Sequence, residues 1–355
     1  MPDEESWRGE LARIIRTEAD LASRVRLDER EREGIRSAGA IYPWRITPSY
    51  ADLMDPDDPA CPIRRQAIPA PDELDDPLGT RDPIGEEPRT PAPNLIRLYR
   101  DRVAWCVTSA CPVNCRFCFR KRLVGSPGAG DYSAAARREA LAYIARTPEI
   151  RDVLVTGGDP LMLPDETIGE ILGSLRAIEH VEIVRIGTRA PVTFPRRITP
   201  ELCAMLERHH PLWINTHFNH PRELAPEAVA ACARLAAAGI PLGNQSVLLK
   251  GINDDLETMR RLVQGLVRAR VRPYYLFQCH LAPGTAHFRT PVETGIAIVS
   301  ALRGSTTGFA VPAYVVDTPR GKVTLSPQTI VERTPDAVVL RCPDGEIMRE
   351  QRRRG

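Results

Sequence analysis

The stretch VAWCVTSACPVNCRFCFRK, residues 103–121, joins the two signals that decide the fold. Its first five residues form an apolar, β-branched run of strand length, and cysteines follow on the loop beyond it at positions 111, 115 and 118. Runs of the same kind recur downstream: DVLVT at 152, VEIVRI at 181, PLWINT at 211, IPLGNQSV at 240 and VRPYYLF at 271. Amphipathic segments such as PEAVAACARLAAAG separate most of them. The later runs are spaced by about thirty residues, the length of one βα unit. Six such units in series predict an α/β fold, an incomplete parallel barrel of (β/α)6 type, which places chemistry in the loops after the C-terminal ends of its strands. A seventh strand is predicted in VPAYVVD and a hairpin near VVLRCPDGEIMR.

The flanks differ in character. Residues 5 to 38 read as two helical segments, with Leu11, Ile14 and Ile15 among charges. Twelve of the 33 prolines then fall between Pro43 and Pro93, where each blocks a helix or a central strand. Because this segment also carries apolar and aromatic residues, it is expected to wrap a core as an ordered arm. The division that follows is a helical and proline-rich arm over 1–98, a partial barrel over 99–310 and a C-terminal segment with a hairpin over 311–355.

Bulk composition excludes several classes of function. The 48 Lys and Arg nearly balance the 46 Asp and Glu, so the net charge of +2 supplies no field toward nucleic acid or an anionic membrane. A small substrate entering a pocket is the better expectation. The N-terminus lacks the basic start and apolar run of a secretory signal, and no stretch approaches about 18 consecutive apolar residues. A cytoplasmic chain is expected. Nine cysteines, scattered except for the trio, argue against a disulfide framework and for metal or redox use.

The C-x3-C-x2-C spacing suits three corners of a [4Fe–4S] cluster, since thiolates on one tight loop can each reach a different iron. The fourth iron would then lack a protein ligand and be open to chelation by a small molecule. A zinc site with a distant fourth ligand is the competing reading, although structural zinc favours C-x2-C pairs in twos. Taken with Phe117 before the last cysteine, the stretch resembles the signature of the radical S-adenosylmethionine (SAM) enzymes. Over nearly its whole length the chain resembles the lysine 2,3-aminomutase family of that group. The resemblance runs from DPDDPACPIRRQAIP through RLYRDRV, VTGGDPLML, RIGTRAPVTFPRRIT, NTHFNHP, GNQSVLLKGIND and AHFRTPV to VVDTPRGKV.

This resemblance implies a radical SAM barrel with Cys111, Cys115 and Cys118 on the cluster, and SAM held by Gly157, Gly158, Asp159, Arg189, His217 and Gln245. A tight βα turn is an equal reading of the two glycines taken alone, and a lone His is more often a satisfied core residue. The resemblance further implies that Lys322, in DTPRGK, is the catalytic lysine that anchors pyridoxal phosphate (PLP), with Tyr99 and Arg102 lining the PLP pocket and Arg120 gripping the substrate carboxylate. Arg122 and Lys121 read equally well as a solvated basic run. The implied reaction is a radical 1,2 shift of the α-amino group to the β-carbon, with SAM acting as a regenerated cofactor. The implied partners are a free amino acid, an electron donor such as flavodoxin or ferredoxin, and a second copy of the chain in a homo-oligomer.

Two departures from the family pattern bear on substrate and metal. The family's lysine enzymes hold the distal ammonium between two aspartates; Asp317 keeps one, but the other position, in FQCHLAPGTAHF, is His280. One carboxylate and a largely neutral imidazole compensate an ammonium less than two carboxylates do. Lysine remains the first expectation, with arginine, glutamate or a lysine of elongation factor P as alternatives. The family's zinc ligands are replaced by Asp255 at one position and reduced to Cys342 in the tail, so no zinc is expected.

Overall fold

In the computed structural model, which describes residues 6–125, 130–326, 329–342 and 345–351, nine strands form one open sheet in chain order. They are β1 (Leu95–Ile96), β2 (Arg102–Cys106), β3 (Asp152–Thr156), β4 (Ile183–Gly187), β5 (Leu212–Thr216), β6 (Leu242–Leu248), β7 (Arg272–Gln278), β8 (Ala313–Thr318) and β9 (Gly321–Thr324). From β2 to β8 every neighbouring pair is parallel, while β1 and β9 close the two edges antiparallel. The predicted incomplete barrel is therefore present, with helices Ala134–Ala145, Asp165–Arg176, Pro200–Glu207, Pro226–Ala237, Leu256–Arg268 and Val292–Ser305 as its crossovers.

Alternation along the strands sets which residues meet the helices. Val153 and Val155 of β3, Val184 and Ile186 of β4, and Leu212 and Ile214 of β5 are buried, whereas the intervening Leu154, Arg185 and Trp213 are paired in register and more exposed. The helices supply matching stripes. In Leu256–Arg268 the buried residues are Met259, Leu262, Val263 and Leu266, one face at helical spacing, each such burial being worth roughly 1.5–3 kcal/mol. Asp255 caps that helix, its carboxylate accepting from Thr258 N at 2.9 Å.

Residues 5 to 38 depart from the two-helix expectation. The chain forms Trp7–Ala12, Glu18–Ala22, Glu29–Arg36 and Ala38–Ile41, because Ser6, Thr17 and Asp28 each start a new helix by accepting a backbone N–H. The proline-rich segment is ordered and lies against the barrel, as expected. Tyr50 donates to Glu223 at 2.8 Å, Arg65 donates to the carbonyls of Gly251 and Lys250, and Thr80 N donates to Leu281 O at 2.7 Å. At the other end, β8 and β9 extend the barrel sheet beyond residue 310, and β10 (Ile330–Arg333), β11 (Ala337–Arg341) and β12 (Ile347–Gln351) form a separate antiparallel sheet. The expected hairpin is β11–β12, with Cys342 buried beside it; Pro343 and Asp344 lie outside the described residues. Among the described residues no helix is long and apolar enough to cross a membrane.

Candidate active site

Cys111, Cys115 and Cys118 lie on the loop after β2, all three as free, partly exposed thiols. Burial, followed by the charges of Asp159, Cys118 and Cys115, pushes the Cys111 thiol well up. Burial and then Cys115 push Cys118 up to about 11. The Cys115 sulfur contributes to both shifts, so the thiols lie close enough to interact, and a cluster of iron ions bound to them would offset the cost of their ionisation. The donor set thus fits an iron–sulfur cluster with three protein ligands.

The glycine pair of VTGGDP serves this loop directly. Gly157 has φ +140°, and a Cβ on it would collide with Thr108 O, while one on Gly158 would collide with Ala110 O. The close approach is bonded: Gly158 N donates to Thr108 O at 2.6 Å and Asp159 N to Ala110 O at 2.7 Å. The Asp159 carboxylate accepts from Thr188 Oγ1 at 2.6 Å, Arg189 N at 2.8 Å and Leu161 N at 3.0 Å. It ties the ends of β3 and β4 together.

Arg189, just past β4, is the hub of the site. Its guanidinium reaches Cys115 Sγ at 2.8 Å, Glu223 Oε1 at 2.6 Å, Gln66 Oε1 at 2.8 Å, Tyr50 Oη at 3.2 Å and the His217 carbonyl at 3.0 Å. The His217 ring stands 5.5 Å from Phe117 and contacts Asn219 Oδ1 at 3.1 Å. Burial and then the Arg189 charge push its imidazole down to about 3, against that hydrogen bond. Gln245 follows a register shift in β6, and its partly exposed side chain has no hydrogen bond among the described residues. Arg189, His217 and Cys115 are thus brought together.

Arg120 and its neighbours are neither solvated nor free. Arg120 Nη2 pairs with Glu86 at 2.7 Å and its Nε donates to the same carboxylate at 3.1 Å. Arg122 takes the other oxygen at 2.9 Å, and Lys121 pairs with Glu73 at 2.7 Å beside Arg116, also at 2.7 Å. The solvated reading of Lys121 and Arg122 is therefore corrected: carboxylates of the arm hold both. Arg120 keeps Nη1 outside these pairs.

On the far side of the mouth, Lys322 Nζ lies 2.7 Å from Asp317 Oδ1, and His280 Nε2 lies 3.4 Å from Asp317 Oδ2. Burial raises the Asp317 carboxyl, but the hydrogen bond with His280 and the charge of Lys322 outweigh it and hold the group at about 2. Lys322 N donates to Tyr99 Oη at 2.8 Å, and the Arg102 guanidinium sits 4.1 Å over the Tyr99 ring. The Lys322 ammonium faces Phe277 at 5.5 Å and Tyr275 at 6.0 Å. Phe119, next to Cys118, packs on the His280 ring at 4.8 Å, so the cysteine loop and the lysine pocket share one mouth.

Sequence reasoning missed Gln66, Glu73, Glu86, Asn219, Glu223 and Asn244. Asn244 accepts from Phe218 N at 2.7 Å and donates to Phe218 O at 3.1 Å, holding the loop after β5. Its signal was available, since asparagine is depleted inside strands. The acidic residues among the prolines carried no local signal.

A partial parallel barrel with this cysteine loop behind its first parallel strand defines a radical SAM enzyme, and the radical SAM superfamily model matches residues 105–263. A second model, described as lysine-2,3-aminomutase, matches residues 299–351. The chain is 46% identical over 338 residues to L-lysine 2,3-aminomutase of Bacillus subtilis, covering 94% of this chain and 72% of that protein. It is 46% identical over 336 residues to L-lysine 2,3-aminomutase of Clostridium subterminale, covering 93% and 80%. It is also 45% identical over 335 residues to glutamate 2,3-aminomutase of Clostridioides difficile, covering 93% and 79%. The chain belongs to the lysine 2,3-aminomutase family of radical SAM isomerases. With that family come a [4Fe–4S] cluster and SAM, and the aminomutase branch is PLP-dependent.

Proposed function

We propose that this enzyme moves the α-amino group of a free basic amino acid to the β-carbon, with L-lysine as first substrate and β-lysine as product. The observation that carries the reading is the contact chain Phe119–His280–Asp317–Lys322, which links the cysteine loop to the lysine pocket through one mouth. The names of relatives in Bacillus subtilis and Clostridium subterminale support lysine, and that of the Clostridioides difficile protein keeps glutamate as the competitor.

When bound, the cluster and SAM would supply a carbon-centred radical, and PLP would supply the aldehyde carbon that makes the substrate's own amino nitrogen unsaturated and so able to migrate. In this reading Cys111, Cys115 and Cys118 hold the cluster. Arg189, His217 and Gln245 hold SAM above the mouth, while Gly157, Gly158 and Asp159 fix the turn that brings it near. Lys322 anchors PLP, with Tyr99 orienting the lysine backbone and Arg102 stacked behind Tyr99. Arg120 offers Nη1 to the substrate carboxylate while Glu86 fixes its other edge. Asp317 takes the distal cation of the substrate and His280 sets the shape of that end. The arm excludes water from the mouth.

We further assign no zinc, an electron donor of the flavodoxin or ferredoxin kind, a homo-oligomer and a cytoplasmic location, the last supported by nine free cysteines. The test is an anaerobic screen of free amino acids with reductant, SAM and PLP, read as β-amino acid product. Formation of β-lysine is expected; conversion of glutamate with lysine untouched overturns the substrate assignment.

A further inference from the structure

We infer that Glu73 and Glu86 are positioning residues for the cluster loop, and that the proline-rich arm is the clamp that keeps the three thiols in ligating position. The inference rests on the reading of Cys111, Cys115 and Cys118 as cluster ligands. Four cations, Arg116, Arg120, Lys121 and Arg122, are interleaved with or directly follow Cys115 and Cys118. All four are turned inward rather than to solvent, and two buried arm carboxylates hold them in pairs, with Asp82 and the half-exposed Glu87 adding to Arg122 at 3.2 and 3.4 Å. Glu73, with a fully buried side chain, bonds Arg116 through both oxygens at 2.9 and 2.7 Å and Lys121 at 2.7 Å. Glu86, 4% exposed, holds Arg120 at 2.7 Å and Arg122 at 2.9 Å.

Main-chain bonds run alongside. Asn114 N donates to Arg45 O at 3.1 Å and Arg116 N to Gln66 O at 2.9 Å, so the arm meets the loop on both sides of Cys115. Arg116 also donates to the carbonyl of Pro43 at 3.1 Å, and Lys121 to that of Gly284 at 3.0 Å.

The physical consequence follows from charge burial. With Glu73 neutralised, Arg116 and Lys121 lose their carboxylate; with Glu86 neutralised, Arg120 loses its carboxylate while Arg122 keeps Asp82 at 3.2 Å and Glu87 at 3.4 Å. In either case the least costly escape for a buried cation without an anion is for the loop to swing outward and rehydrate it. Each cation is at most four residues from Cys118, so rehydration carries the thiols out of register. Ligation of three irons by three thiolates tolerates no such displacement.

The test uses the full chain with Glu73→Gln, Glu86→Gln and Glu73→Asp, and Glu170→Gln on an exposed helical position as control. In iron-free protein, alkylation of Cys111, Cys115 and Cys118 by iodoacetamide is followed by peptide mass spectrometry. In anaerobically reconstituted protein, retained iron and the rate of bleaching in air are read. The glutamine variants are expected to alkylate about tenfold faster and to lose most of their iron on gel filtration, with Glu73→Asp partly restoring both. Folded glutamine variants with wild-type alkylation and iron overturn the clamp. If Glu73→Gln does not fold, Glu86→Gln decides. Wild-type protein that takes up no iron refutes the cluster reading, and the alkylation rates then judge the clamp separately.

Discussion

Lys322 Nζ lies 2.7 Å from Asp317 Oδ1, so the proposed PLP lysine and the proposed distal-end aspartate form a direct ion pair. Borohydride reduction of PLP-loaded enzyme is expected to trap the cofactor on Lys322, and Asp317→Ala to keep the trapping while severely reducing turnover of lysine. Peptide mapping and product assays read the two separately; trapping on another lysine refutes the assignment of Lys322.

His280 lies 3.4 Å from Asp317, at the position proposed for the distal end of the substrate, where a second carboxylate would compensate an ammonium. Replacing it by Asp adds that carboxylate in a site 8% exposed. His280→Asp is expected to keep or improve kcat/KM for lysine by about tenfold, the scale of one added charge contact in a partly buried site. A fall of that size, with conversion of an acidic amino acid retained, points to a different distal group.

Gly158 admits no side chain because its turn is bonded to the carbonyls of Thr108 and Ala110 on the loop after β2. Gly158→Ala is expected to destabilise the fold by about 1–3 kcal/mol through overpacking against backbone. Urea denaturation gives the loss, and retained iron shows whether the cysteine loop moves with the turn. An unchanged midpoint would show that the turn can relax.

Arg189 neutralises Glu223, which is fully buried. Removing the cation leaves the carboxylate with Tyr50 Oη and the backbone N–H groups of Asn219 and His220. Arg189→Ala is expected to cost about 3–5 kcal/mol, and Arg189→Ala with Glu223→Gln to recover part of it. Chemical denaturation of the single and double variants measures the coupling.

His287 is pushed by burial down to about 4, and its Nδ1 is buried with no hydrogen-bond partner among the described residues. Between its unfolded value near 6.5 and about 4, the unfolded chain binds a proton that the folded chain refuses, so stability falls as pH drops through that window. His287→Gln is expected to flatten the decline in melting temperature between pH 7 and pH 5 relative to wild type. Parallel curves would assign the acid sensitivity to other groups.

The order of strands, the open barrel and the place of the three cysteines were legible in the sequence, because each rests on local information. Strand periodicity, βα spacing and turn chemistry act over a few residues, and a parallel sheet in chain order requires nothing longer-ranged. Candidate site residues could be named where a family motif sits at or near a strand end, as at Cys111, Arg189 and Asp317. Partnership was not. That Arg120 and Arg122 share Glu86, that Arg116 and Lys121 share Glu73, and that Glu223 answers Arg189 are contacts across 34 to 48 positions of chain. Such pairs carry no periodicity, since a buried charge selects whichever opposite charge the packed chain delivers to it. The sequence by itself determined which residues could do the chemistry; the tertiary structure decided what holds them in place.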